Sequence, residues 1–234
     1  MNIFTKIPPT TFLLILSMLF ISLVVSGHRY LETKENAGRD NPVLVTDHQI
    51  SWAAYARLEE GKEADYYQFT AKKGEEIYAS LIIPKLDRLK GFAPDMALIG
   101  PGLEGLNLQE DVDDYLVVKE GEGLVVKKYS SKENEVFFEP FTQTSYWRRQ
   151  KIRINAAESG IYHLVVFHHG GEKGKYVLAI GRKEVFGPGD ILSLPATWWK
   201  VRMFAEQELS TYVITGLVLG GAGVGIFFLF NALF

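Results

Sequence analysis

The 234-residue chain contains no cysteine. Disulfides, thiol nucleophiles and cysteine-bound metals are excluded together, so stability has to come from a packed core. The sequon Asn-x-Ser/Thr is also absent, which removes N-linked glycosylation at that signal. No G-x-S-x-G elbow, no H-E-x-x-H helix and no glycine-rich phosphate loop after a strand occurs, and no run of like charge. The net charge is only −3. With no basic stripe, nucleic acid is not an expected partner. The expectation is a protein without enzymatic activity and without a cofactor.

Charge is missing from both ends. Every one of the 25 basic and 28 acidic residues except Lys6 lies between Arg29 and Glu208. The stretch Ser210 to Phe234 is uncharged and rich in Leu, Val, Ile and Phe. As a helix it would be roughly 35 Å long, enough for a hydrocarbon core of about 30 Å. Phe12 to Val25 is a second apolar run, preceded by Lys6 and ending in Val25-Ser26-Gly27. It reads as a signal peptide cleaved before His28, with an uncleaved signal anchor as the alternative. The predicted organisation is a signal over 1–27, a polar linker over 28–41 and an extracytoplasmic domain over 42–185. A juxtamembrane amphipathic helix over 186–209 and a transmembrane helix over 210–234 follow. The expected location is the cell membrane, single-pass, with the bilayer as first partner and the main domain outside.

Within the terminal helix, Gly216 and Gly220, then Gly221 and Gly225, stand at G-x-x-x-G spacing. Such a side allows close approach of a second helix, so a membrane-protein partner or a homo-oligomer is the second expected association. In the preceding segment, Trp198, Trp199, Lys200 and Arg202 have the residue types of a membrane interface. A helix packed on the domain is the other reading of that segment.

Between the ends, apolar residues come in short β-branched and aromatic runs separated by Gly, Pro and charged turns. Expected strands are Ile50–Leu58, Asp65–Ala71, Glu76–Pro84, Met96–Ile99, Gly123–Lys127, Glu135–Glu139, Arg149–Asn155, Ile161–His168 and Lys175–Gly181. Tyr67 with Phe69, and Ile152 with Ile154, alternate as on a strand with one face in a core. The fold class predicted is all-β, an antiparallel, jelly-roll-like β-sandwich.

Two groups of residues carry a family likeness. One is Asp65-Tyr-Tyr-Gln-Phe-Thr70 with Lys73-Gly-Glu75, and the other is Glu158-Ser-Gly-Ile-Tyr-His-Leu-Val-Val166 with Gly174-Lys-Tyr-Val-Leu-Ala-Ile180. They resemble the opening and closing parts of bacterial pre-peptidase C-terminal domains, and the segment between them is longer here. The resemblance implies a small secreted sandwich with a binding or accessory role.

Candidate sites are few. Asp111, Asp113 and Asp114, with Glu122 beyond, resemble a calcium loop, but Leu116 stands where an EF-hand requires glycine. His163 and His169 are too far apart along one strand to hold one ion, and His168 and His169 point to opposite faces. Phe141, Tyr146 and Trp147, with Phe137 and Phe138 near, form a candidate aromatic platform for a ligand. Core packing is the competing reading of the same rings.

Overall fold

The computed structural model describes residues 28–34, 37–60, 63–103, 116–129 and 135–233, without the side chains of 218, 219, 222, 226, 228–230, 232 and 233. It divides into a unit of residues 27–205 and a second unit that holds residues 206–234. Among the described residues, the first carries eleven strands in two sheets. They are β1 (Arg29–Leu31), β2 (Val43–Leu44), β3 (Trp52–Leu58), β4 (Ala64–Ala71), β5 (Glu76–Pro84), β6 (Asp95–Pro101), β7 (Glu122–Lys127), β8 (Val136–Glu139), β9 (Thr144–Asn155), β10 (Gly160–Phe167) and β11 (Gly174–Ile180). Sheet A runs β1-β3-β11-β5-β9-β8 and sheet B runs β2-β4-β10-β6-β7. Helix α1 (Pro188–Phe204) completes this unit, and helix α2 (Leu209–Leu233) belongs to the other.

Period-two patterning places the sandwich core. In β5, Ile77, Ala79, Leu81 and Ile83 are buried between the sheets while Glu76, Tyr78, Ser80 and Ile82 point outward. Tyr67, Phe69 and Ile152 join them, with Ile154 packed at the margin. β9 breaks the rule, because Trp147 and Ile152 are both in this core although five residues apart. The register shifts between the Ser80–Lys151 and Ile82–Arg148 pairs, so β9 carries one extra residue there. Arg149 and Gln150 occupy this bulge, and both are buried. Arg149 donates to the Phe92 and Lys90 carbonyls, and Gln150 Nε2 to Pro94 O. The bulge thus ties the segment before β6 to sheet A.

Three corrections to the sequence reading follow. The range expected as a linker holds β1, which pairs in parallel with β3 from Arg29–Trp52 to Leu31–Ala54. The sheets are not wholly antiparallel, since β2 also pairs in parallel with β4. β9 begins at Thr144 rather than Arg149.

Sheet B is buried on both faces in its centre. Its outer side, with Tyr66, Ile99, Val165 and Phe167, is covered by Leu116 and Val118. Arg39 fastens that strap, donating to Val117 O at 2.8 Å and to both Glu122 carboxylate oxygens at 2.6 and 2.7 Å. At the end of β11, Gly181 has φ +71°, and a Cβ there would lie 2.2 Å from Ile50 O, so only glycine fits.

Candidate functional site

Sheet A presents the surface that matters. Ala53, Tyr146 and Val177 form a buried apolar patch on its outer side, flanked by Tyr55, Ile82, Phe137 and Phe204. Helix α1 caps this patch. Its start is set by Gly187 and Pro188, with the Asp190 carboxylate reaching back to accept from Gly187 N at 2.7 Å. Asp190 is therefore the third helical residue. Pro195 lies in the helix interior, where its missing N–H removes one helical bond.

The helix is bonded to the domain along its length. Near its start, Asp190 pairs with Arg29 at 3.0 Å. Lys200 reaches Glu32 at 3.1 Å, and that hydrogen bond raises the ammonium above its ordinary range. Near its end, Val201 and Arg202 are each 1% exposed. The Arg202 guanidinium donates to Thr142 O at 2.7 Å and lies 4.7 Å from the Trp198 ring. Trp198 Nε1 donates to Phe141 O at 3.1 Å. Lys175, on β11, donates to Phe204 O at 2.8 Å, and Phe204 meets Tyr55 edge-on at 5.4 Å.

The carbonyls that receive Trp198 and Arg202 belong to the β8–β9 hairpin tip. There Gln143 takes φ 55°, and the Thr142 and Thr144 hydroxyls link the Glu139 carboxylate to Tyr146 OH. Burial pushes the Tyr146 hydroxyl up to about 12 and Tyr55 well above its ordinary value. These phenols stay neutral and serve as hydrogen-bonding groups.

The residues singled out from the sequence separate accordingly. Arg202 and Trp198 face the domain, which corrects their assignment to a membrane interface. A buried guanidinium needs carbonyl and ring partners, and the hairpin supplies them. Trp199 is exposed, and Lys200 is exposed while paired with Glu32 and lying 5.1 Å from the Tyr30 ring. The aromatic platform is not assembled. Tyr146 and Trp147 are neighbours on one strand and project to opposite faces, Tyr146 under α1 and Trp147 into the sandwich. Phe141 is half-buried at the hairpin tip, with its carbonyl engaged by Trp198. Asp111, Asp113 and Asp114 lie outside the described residues. Among the described residues no group of three metal-ligating side chains comes together. His163 is buried beside Gln68 Oε1 at 3.2 Å, and burial lowers it to about 4 with help from Arg39. His168 stacks on Phe92 at 5.6 Å.

Two features gave no sequence signal. A cavity of about 470 Å³ opens where the end of β3 meets the start of β11, lined by Arg57, Arg88, Lys173, Lys175, Glu59 and the floor residues Leu58 and Leu89. Four cations against one carboxylate give it a positive interior, chemistry that suits an anionic group. They come from three separate segments, so no spacing reveals them. The second lies in the core. Asp65 is 5% exposed, accepts from Tyr176 OH, and Tyr176 OH lies 2.8 Å from Tyr67 OH. Burial raises the Asp65 carboxyl from 3.8 to about 7, against the stabilising bond from Tyr176.

The second unit holds the helix α2, 25 residues long. Counting only the side chains that are described, no helix is long and apolar enough to cross a membrane. Gly216, Gly220, Gly221 and Gly225 lie on α2, and a Cβ added at any of them would meet nothing within 4 Å.

No family model matches the chain, and no curated protein matches it. Several solved structures are similar. PliG, a periplasmic inhibitor of g-type lysozyme from Aeromonas hydrophila, is 13% identical, with 59% of this chain and 94% of that one covered at a TM-score of 0.31. The pre-peptidase C-terminal domain of a Bacillus anthracis collagenase is 11% identical, covering 58% and 90% at 0.30. CorA, a surface-associated copper-binding protein of Methylomicrobium album BG8, is 8% identical, covering 68% and 99% at 0.30. The second is a domain of the type whose motifs the sequence resembles. Likeness this slight carries no inference about family or activity.

Proposed function

We propose that the chain is an extracytoplasmic, non-catalytic binding or accessory module held at a membrane by its C-terminal helix. One observation carries the reading. The segment Ser210 to Phe234 has no charged residue, and its backbone is helical over Leu209–Leu233. At roughly 37 Å, that helix matches a bilayer core, and a domain carrying nearly all the charge precedes it. The non-catalytic reading is supported by how the polar groups of the α1 face are used. Arg202, Trp198, Thr142, Thr144 and Glu139 all hold the hairpin and helix together. The basic cavity beside β3 and β11 is the surface assigned to ligand, and an anionic group is the class it takes.

The test is fractionation of the full chain and of a chain ending at Leu209. The full chain is expected to stay in membranes through alkaline carbonate washing, and the shortened one to be released. Release of both would refute the anchoring. The glycines of α2 favour a second role, as a contact between membrane helices, because their added Cβ positions are open.

A further inference from the structure

Lys175 serves two places at once. It lines the cation-rich cavity where β3 meets β11. Its ammonium also donates to the carbonyl of Phe204, the last residue of α1, at 2.8 Å. The same nitrogen lies 5.1 Å from the centre of the Phe204 ring. Arg57 and Glu59 are shared in a similar way. They line the cavity and also a smaller one of about 180 Å³, whose wall includes Tyr55 and Phe204. The ligand surface and the end of the helix thus have side chains in common, all within the unit of residues 27–205.

The chemistry of an ammonium decides what this sharing does. It carries three N–H donors on one compact charge. One donates to Phe204 O, at the negative end of the helix dipole, where a cation is favoured. Lys175 is only 7% exposed, so it is held between the helix end and the cavity. Arg57, Arg88 and Lys173 bring three more positive charges to that cavity, against the carboxylate of Glu59. Their repulsion works against keeping a fourth cation beside them. An anion in the cavity offsets that repulsion. It also gives Lys175 a charged acceptor while the bond to Phe204 O stays in place.

We propose that an anion bound in the cavity tightens the end of α1 on sheet A, with Lys175 as the link. The inference rests on the reading of the cavity as the ligand surface and adds its regulation. Coupling of this kind is reciprocal. When the helix end lifts from sheet A, Lys175 loses the carbonyl that positions it, and affinity for the anion falls by the same factor. The end of α1 then responds, on the outer side of sheet A, to whether the cavity is filled.

The test is amide hydrogen exchange of the detergent-solubilised full chain, with inorganic phosphate as the probe and calorimetric titration alongside. The Ala205 amide, bonded to Val201 O at 2.9 Å, closes the last turn of α1 and reports on it. At saturating phosphate the amides of Met203, Phe204 and Ala205 are expected to exchange roughly fivefold more slowly, with those of Ile191 and Leu192 at the other end of the helix unchanged. Lys175→Met keeps the apolar stem and removes the ammonium. In that variant the three amides should exchange fast and stay fast at phosphate concentrations that saturate it. Lys173→Met removes a cavity cation and leaves the Lys175–Phe204 bond, so it should need more phosphate and reach the same slowing. If phosphate binds and the three amides do not respond, or exchange faster, the coupling is wrong and the cavity remains a ligand site. Slowing that persists in Lys175→Met shows that Lys175 is not the link and overturns the inference. If calorimetry detects no phosphate binding to the native chain, the ligand reading of the cavity fails, and the coupling with it.

Discussion

Replacing Asp65 by Asn should turn a stability that is nearly level between pH 4 and 6.5 into one that rises with pH over that range. The buried carboxyl holds its proton to about pH 7, whereas the unfolded side chain releases it near 3.8. As pH rises between these values the unfolded state gives up a proton that the folded state keeps, so stability falls. At 1.36 kcal/mol per pH unit the full loss is roughly 4 kcal/mol, complete above pH 7. His163 acts in the other direction. Its folded value of about 4 lies below the ordinary 6.5, so stability rises by roughly 3 kcal/mol as pH increases between the two. The native chain should therefore be nearly level from pH 4 to 6.5 in these two contributions and lose stability just above. Asn keeps an oxygen for the Tyr176 hydroxyl and has no proton to release. The Asp65→Asn chain should become more stable with rising pH up to about 6.5 and hold that level beyond. At pH 8 it should exceed the native chain, less about 1–3 kcal/mol for the buried amide N–H groups. Urea unfolding of the detergent-solubilised chain, followed by tryptophan fluorescence from pH 4 to 8, measures both curves. Parallel curves would show that Asp65 is ionised in the fold and refute the reasoning.

Gly100→Ala would set a Cβ 2.1 Å from the Tyr162 ring, which should cost about 1–3 kcal/mol in the urea midpoint. Arg202→Ala removes the bond to Thr142 O and the contact with Trp198. A loss of about 2–4 kcal/mol and faster amide exchange in α1 are expected, and an unchanged exchange rate in α1 would contradict the docking. Lys173→Glu should weaken binding of inorganic phosphate by roughly tenfold in calorimetric titration, with the unfolding midpoint unmoved. Gly220→Ile should lower cross-linking between membrane helices at constant abundance; equal cross-linking would make the glycine side of α2 lipid-facing.

The strands were largely legible because their alternation is local. Tyr67 and Phe69 on β4, or Ile77 to Ile83 on β5, declare their inward face through side chains two residues apart. β1 was not legible. Arg29-Tyr-Leu31 is too short for a period, and its parallel partner β3 begins at Trp52. The start of β9 was hidden by the bulge at Arg149 and Gln150, which sets Trp147 and Ile152 out of phase for an unbroken strand. The sites were less legible still. Trp198 and Trp199 are adjacent and look equivalent, yet one donates to the Phe141 carbonyl and the other faces out. Only the packing of α1 on the hairpin separates them. The cations of the cavity are 118 positions apart at the extremes, Arg57 and Lys175, and the Asp65 carboxyl, raised by burial, meets its partner Tyr176 across the sandwich.

The strand order also governs when this chain can fold. The last two strands made, β10 and β11, are the middle ones, with β10 between β4 and β6 and β11 between β3 and β5. Until residue 180 has been synthesised, each sheet lacks its centre, and β3, β4, β5 and β6 show unpaired edges to whatever is nearby. Closure then joins strands more than 100 residues apart, as when Tyr176 reaches Asp65. Contacts of such long range slow folding and lengthen the time in which partly made chains aggregate. A chain released before Gly160 has no route to the sandwich, so folding has to wait for nearly the whole domain to be made.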